Sequence, residues 1–202
     1  MKYEAIIFDL GGVIIDLDYQ LTIAAFKELG IIDFDSDYSQ AQQSKLFDDF
    51  ETGKISAQHF INCLLPFLKP GTSPNKVVNA WNAMILSVQS SKIDLLLSLR
   101  EKYPLFLLSN TNELHVPKVR REWSKVTSKP MEDFFDHIYF SHEIHLRKPN
   151  SEIFQLVCDQ QLLIPEKTLF IDDSIQHIKG AEMIGLQTLH LTDSTELNQL
   201  FS

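Results

Sequence analysis

Four short apolar runs, each ending abruptly in polar residues able to do chemistry, constrain the fold of this chain more than any other feature. They are Ala5–Phe8, Leu105–Leu108, His137–Phe140 and Thr168–Ile171. Asp9 follows the first, Ser109 and Asn110 the second, Ser141 the third, and Asp172 with Asp173 the fourth. Runs this short and this uniformly apolar read as parallel strands covered on both faces. Helical patterns separate them. One starts at Ser90-Ser91, carries Ile93, Leu96, Leu97 and Arg100, and stops before Pro104. Others cover Asn150 to Leu163, and Ser174 to Ile184, with Gly185 as the residue after the helix end. Gln187–Leu191 reads as a fifth strand and Glu196–Phe201 as a short helix. Such alternation predicts an α/β fold with a doubly wound parallel sheet. Ligands of such sheets sit at the carboxyl ends of the strands, where the strand order reverses. The polar residues that close the four runs converge there.

Residues 18–88 break the alternation and read as helices alone. The spacing predicts Tyr19–Leu29 closed by Gly30, then Asp37–Phe50, Ser56–Leu68 and Pro74–Leu86, with Ser73 as N-cap and Pro74 in the first helical position. Placed between the first and second core strands, this block predicts an all-helical cap (18–88) over a core made of 1–17 and 89–202. The competing reading packs the same helices on the sheet edge. A chain of 202 residues can form a core with such an insert.

A net charge of -9 argues against nucleic acid as a partner, because neutralising a phosphate backbone needs a basic face. A small phosphorylated molecule remains open, provided that local cations or a metal receive it. Cys63 and Cys158 lie in apolar surroundings and are expected to be buried free thiols. The opening MKYEAIIFDLGG runs directly into a strand pattern with no cleavable leader. The apolar runs fall far below the about 18 residues that cross a bilayer. The expectation is a cytoplasmic protein without a membrane partner, a monomer or weak homodimer.

The residues that close the runs differ in how much each implies. In FDLGGVIID, Asp9 ends a strand and Gly11 and Gly12 allow a sharp turn and close backbone approach, although many strands end in Asp for turn reasons alone. In LFLLSNTNELH, Ser109 offers a hydroxyl and the amides after it suit phosphate oxygens; Asn110, Thr111 or Asn112 also caps the next helix. In HLRKPN, Lys148 before Pro149 sets a cation at a helix start. In LFIDDSIQHI, adjacent buried carboxylates are costly unless a cation joins them, and a hard ion such as Mg²⁺ takes one or two carboxylates plus phosphate oxygens.

Taken in order (Asp, Ser, Lys, Asp-Asp, each at a strand end) these motifs resemble the haloacid dehalogenase superfamily over nearly the whole chain. FDLGGVIID, LSNTNELH, DHIYFS, LRKP, FIDDS and the FETGKIS run most resemble the branch containing glucose-1-phosphate phosphatase. The resemblance implies a Mg²⁺-dependent phosphatase acting on a small phosphorylated metabolite, such as a hexose 1-phosphate, through an aspartyl phosphate. It assigns Asp9 as nucleophile and metal ligand and the Gly11 carbonyl as metal ligand. Ser109 and Asn110 become the phosphate cradle, and Lys148 the screening cation. Asp173 is the direct metal ligand, with Asp172 a direct or water-mediated partner. The 100 residues from Asp9 to Ser109 leave room for a helical cap, whereas the 39 from Ser109 to Lys148 do not.

One position departs from the superfamily. Where most of its phosphatases carry a second Asp, two residues after the nucleophile, this chain has Gly11. That Asp serves as general acid and base, worth about 10²–10⁴-fold. A substrate with a good leaving group, or a proton from water or a cap residue such as His59 or Glu51, would answer the loss. The rival reading is a silent phosphate-binding protein, which Gly11 favours and Asp9, Lys148 and Asp173 oppose. A dehalogenase would not need the acidic pair, and a receiver domain would be shorter. His142, Glu143 and His145 read as surface rather than zinc ligands, His177 as a partner of Asp173 or a plain helix residue, and Lys118, Arg120, Arg121, Lys125 and Lys129 as a solvated face.

Overall fold

The computed structural model describes residues 3–31 and 40–201, and for 40–44 the backbone only. The predicted Asp37–Phe50 helix therefore begins outside the described residues. Among the described residues there are seven strands: β1 (Ala5–Phe8), β2 (Ile15–Leu17), β3 (Ile85–Val88), β4 (Leu105–Ser109), β5 (His137–Phe140), β6 (Thr168–Asp172) and β7 (Gln187–His190). The helices are α1 (Tyr19–Leu29), α2 (Gln40–Glu51), α3 (Ala57–Leu64), α4 (Pro74–Trp81), α5 (Ser90–Arg100), α6 (His115–Trp123), α7 (Ser141–Ile144), α8 (Ser151–Gln161) and α9 (Ile175–Glu182).

The doubly wound parallel sheet is there, in the order β5-β4-β1-β6-β7. Strand alternation explains why both faces are apolar. Ile6 and Phe8 of β1 point to one side with Leu105, Leu107, Leu169 and Ile171, against Leu96 and Leu99 of α5 and Trp123 of α6. Ala5 and Ile7 point to the other with Phe106, Leu108 and Phe170, against Phe154 and Val157 of α8 and Ala181 of α9. Each fully buried Leu, Ile or Phe contributes about 1.5–3 kcal/mol, so both helix layers are firmly held. β1 lies between β4 and β6, which is where the order reverses. Phe8 is in register with Leu107 on one side and Ile171 on the other, so Asp9, Ser109 and Asp172 emerge from the same edge.

The helices of residues 18–88 gather around a third cluster of their own: Phe26, Phe50, Phe60, Leu64, Val77 and Trp81 among others. Phe50 stacks on Phe60 with centroids 4.3 Å apart, and Phe60 meets Trp81 at 4.8 Å.

The all-helical expectation for this block needs correction at its C-terminal end. β3 lies inside the block and pairs antiparallel with β2, which immediately precedes it. The expected Pro74–Leu86 helix stops at Trp81, followed by one 3₁₀ turn (Asn82–Met84) and then β3. Thr22 ends that helix: its hydroxyl donates to the Trp81 carbonyl (3.1 Å) and accepts from Met84 N (3.0 Å). The Ser56–Leu68 expectation likewise resolves into α3 and a 3₁₀ turn over Leu65–Phe67, and Glu196–Phe201 into 3₁₀ turns at Ser194–Glu196 and Gln199–Phe201. Cys158 is buried, but Cys63 is only partly so; both are free. Among the described residues no helix is long and apolar enough to cross a membrane.

Candidate active site

Three of the four sequence motifs meet at buried side chains. Lys148, fully buried, places Nζ 2.8 Å from Asp9 Oδ1 and 2.6 Å from Asp172 Oδ2. Its position is fixed by Asn110, whose side-chain amide donates to the Lys148 carbonyl (2.9 Å) and accepts from Lys148 N (2.9 Å). The side chain of Asn110, expected at the phosphate, therefore holds the loop that carries the cation. Ser141, just past β5, ties the same edge together: Thr111 N donates to its hydroxyl (2.9 Å), which donates to the Thr111 carbonyl (3.0 Å). Asn112 is the residue that caps α6, its Oδ1 accepting from Leu114 N and His115 N. Ser109 is buried at the end of β4.

Burial dominates the electrostatics. It pushes Asp9 up to about 7; Lys148 pulls the other way and the Asp172 charge adds to the rise. Burial also raises Asp172, but Lys148 and His177 outweigh it and hold that carboxyl below the ordinary range. Lys148 shows the reverse balance: burial lowers it, and the two carboxylates more than restore it, leaving a firmly protonated ammonium. Asp173 is raised by partial burial and by its neighbour Asp172.

His177 holds Asp172 rather than Asp173, with Nδ1 at 2.9 and 3.0 Å from its two oxygens. Ser174 N donates to the same carboxylate at 2.8 Å. Asp173 is exposed and turns toward Gly12. Gly12 has φ +71, and a Cβ there would lie 2.1 Å from Asp173 Oδ2, so only glycine fits that turn.

The donor set suits a hard divalent cation. Asp9, Asp172 and His177 each bring a ligand-type atom within 4.8 Å of the others. With Asp173 close by, three carboxylates stand against one lysine. Two of the three, Asp9 and Asp173, are raised toward the neutral form, which a divalent ion would reverse.

Beside this cluster lies a cavity of about 280 Å³. Gly11, Ser109, Asn110 and Thr111 form its sheet-side floor. Its walls come from Leu17, Tyr19, Phe47, Glu51, Trp81, Met84 and His115, most of them in the helical block. His115 stacks on Trp81 (5.0 Å, 6° between planes), pairs through Nδ1 with Asn82 Oδ1 at 2.8 Å, and is driven down to about 3 by burial. Tyr19 is pushed up to about 12 by partial burial and the surrounding carboxylates.

Sequence reasoning overlooked Arg147, which reaches the helical block, paired with Asp48 and, at 3.0 Å, with Glu51 Oε2. The only sequence signal was its place beside Lys148. His145 is exposed, as expected, and its Nδ1 meets the Thr52 carbonyl at 2.9 Å. Gly53, with φ +65, packs so closely on the His142 carbonyl that a Cβ would lie 2.1 Å away. His59 is exposed and outside the cavity lining. The basic stretch on and just after α6 is paired at three positions, Lys118 and Lys125 with the buried Glu122 and Arg120 with Glu132.

This sheet edge and its charges define a class. The chain matches the family model of the haloacid dehalogenase-like hydrolases over residues 3–185 and belongs to that family. It is 31% identical over 194 residues to the D-ribitol-5-phosphate phosphatase of Bacteroides thetaiotaomicron, covering 96% of this chain and 94% of that protein. A HAD family enzyme of the same organism, crystallised with magnesium and inorganic phosphate, matches at 32% identity and a TM-score of 0.90, over 99% of this chain and 100% of that one. A HAD-like family hydrolase from Porphyromonas gingivalis matches at 31% identity and a TM-score of 0.83, over 94% and 91% of the two chains.

Proposed function

We propose that this protein is a Mg²⁺-dependent phosphatase of a small phosphorylated metabolite, working through a phosphorylated Asp9. The carrying observation is the contact of Lys148 with both Asp9 and Asp172. An ammonium fixed beside a strand-end carboxylate screens that carboxylate from an incoming phosphate and opposes the burial that would protonate it. Without such screening, repulsion is about 4 kcal/mol per charge pair at 4 Å.

Asp9 attacks phosphorus in line with the leaving oxygen, forming an acyl phosphate that water then hydrolyses. Ser109 and the amides that follow it receive the phosphoryl oxygens, and Lys148 stabilises the charge that spreads across them. Asp9, the Gly11 carbonyl and Asp173, with Asp172 beside them, would hold Mg²⁺. When bound it supplies further charge neutralisation. Residues 18–88 act as a cap, closing the cavity and reading the organic group.

The similarity to a D-ribitol-5-phosphate phosphatase supports a sugar or polyol phosphate. A hexose 1-phosphate, which leaves easily, and a pentitol 5-phosphate, which does not, are the informative extremes of a substrate panel. Phosphate release from p-nitrophenyl phosphate or that panel is expected to require Mg²⁺, to stop with chelator, and to fall by roughly four orders of magnitude or more in Asp9→Asn. Gly11 keeps a second reading alive, a silent phosphate-binding protein. Binding of inorganic phosphate with no turnover across the panel would establish that reading instead.

A further inference from the structure

The cavity leaves one question of mechanism: what protonates the leaving group. Gly11, two residues after Asp9, has no side chain to supply that proton, and Leu17 Cδ1 lies 2.5 Å from where its Cβ would be. The other walls of the cavity offer the candidate donors. Of the cavity-lining side chains, Glu51, Tyr19 and His115 carry exchangeable protons on titratable groups. His115 has its Nδ1 tied to Asn82 and its ring clamped against Trp81. Tyr19 is 59% exposed. Glu51 differs from both. Its Oε2 is buried and held by the Arg147 guanidinium at 3.0 Å, at the end of a helix that Gly53 presses against the His142 carbonyl.

Resting on the phosphatase reading, we propose that Glu51 is the general acid and base of both steps, in place of the residue that Gly11 removes. Burial lifts its carboxyl to about 7 against the pull of Lys148. Arg147 pulls the same way as Lys148 but divides its charge between Glu51 and Asp48. An acid poised near neutrality can give and take a proton in one cycle. In the first step Asp9 forms its bond to phosphorus while the bond from phosphorus to the leaving oxygen breaks, and that oxygen takes the Glu51 proton. In the second, the Glu51 carboxylate takes a proton from water as the water oxygen bonds to phosphorus. The bond to Asp9 breaks, restoring its carboxylate, and Glu51 is again protonated.

The test compares Glu51→Gln with the unmodified protein on two esters at saturating Mg²⁺. Ribitol 5-phosphate, or whichever alkyl phosphate the panel ranks first, needs its leaving oxygen protonated; p-nitrophenyl phosphate does not. The expected result is a loss of about 10²-fold or more on the alkyl ester. With p-nitrophenyl phosphate, an initial burst of nitrophenolate equal to the enzyme is expected before a slow steady state, since only the water step then lacks its base. Equal losses on the two esters without a burst, or unchanged alkyl turnover, would overturn the proposal. Should Glu51→Gln not fold, a series of esters on the unmodified protein decides. First-step rates that depend weakly on leaving-group basicity support an acid in the cavity, and a steep dependence contradicts it. An unmodified protein inactive on both esters removes the phosphatase reading and this inference with it, whereas an active one indifferent to Glu51 removes the inference alone.

Discussion

The sheet edge and the helical wall that faces it solve different problems. At the edge, charges are fixed by other charges: Lys148 between Asp9 and Asp172, Asp172 further held by His177 and Ser174 N, and the lysine loop held by Asn110. On the wall, shape is fixed by aromatic rings, Phe50 on Phe60 and Trp81 on His115, with Glu51 the carboxylate among the cavity-lining residues. The difference teaches that one region is built to tolerate a dianion and the other to choose what the dianion is attached to. The two should therefore fail differently when altered.

The largest effect on stability belongs to the edge. Lys148→Met leaves Asp9 and Asp172 buried together without their cation. Breaking a buried pair from one side costs about 3–5 kcal/mol, so urea unfolding at neutral pH should show a loss of that order together with lost phosphate release. A smaller and different loss is expected at the seam between the regions. Gly53→Ala forces a side chain at φ +65 against the His142 carbonyl, a strain of about 1–3 kcal/mol. Steady-state kinetics should show KM rising more than kcat falls, because the wall is displaced while the edge is left intact.

The wall should also have its own pH signature. His115 is held at about 3 against an ordinary 6.5, so the unfolded chain binds a proton that the folded chain refuses between those values. Stability from this residue is complete above about 6.5 and is lost as pH falls toward 3, by up to about 1.4 kcal/mol per pH unit. Thermal unfolding across that range should be flatter in His115→Phe. Unchanged slopes would show that the stacked imidazole is accessible to protons after all.

The two regions were not equally legible in the sequence. Core strands announce themselves because apolar runs closed by Asp, Ser-Asn and Asp-Asp have few other structural uses. That Lys148 sits between Asp9 and Asp172, across 139 residues in one case, is a tertiary fact that only the family resemblance suggested. Asp172 and Asp173 look interchangeable as letters; alternation along the strand turns one inward to Lys148 and His177 and leaves the other exposed. β2 and β3 stayed hidden because each is short and makes sense only beside the other. Arg147, paired with residues almost 100 positions earlier, carried no local signal beyond its charge.

The central claim is that Asp9 itself bonds to phosphorus. Mixing the protein with Mg²⁺ and substrate, quenching within milliseconds and reducing with borohydride converts an acyl phosphate to an alcohol that peptide mass spectrometry locates. Homoserine in place of Asp9, formed only when substrate is present, is the expected result. Active turnover with Asp9 recovered unmodified at every quench time, or the alcohol found at Asp172 or Asp173, would contradict it.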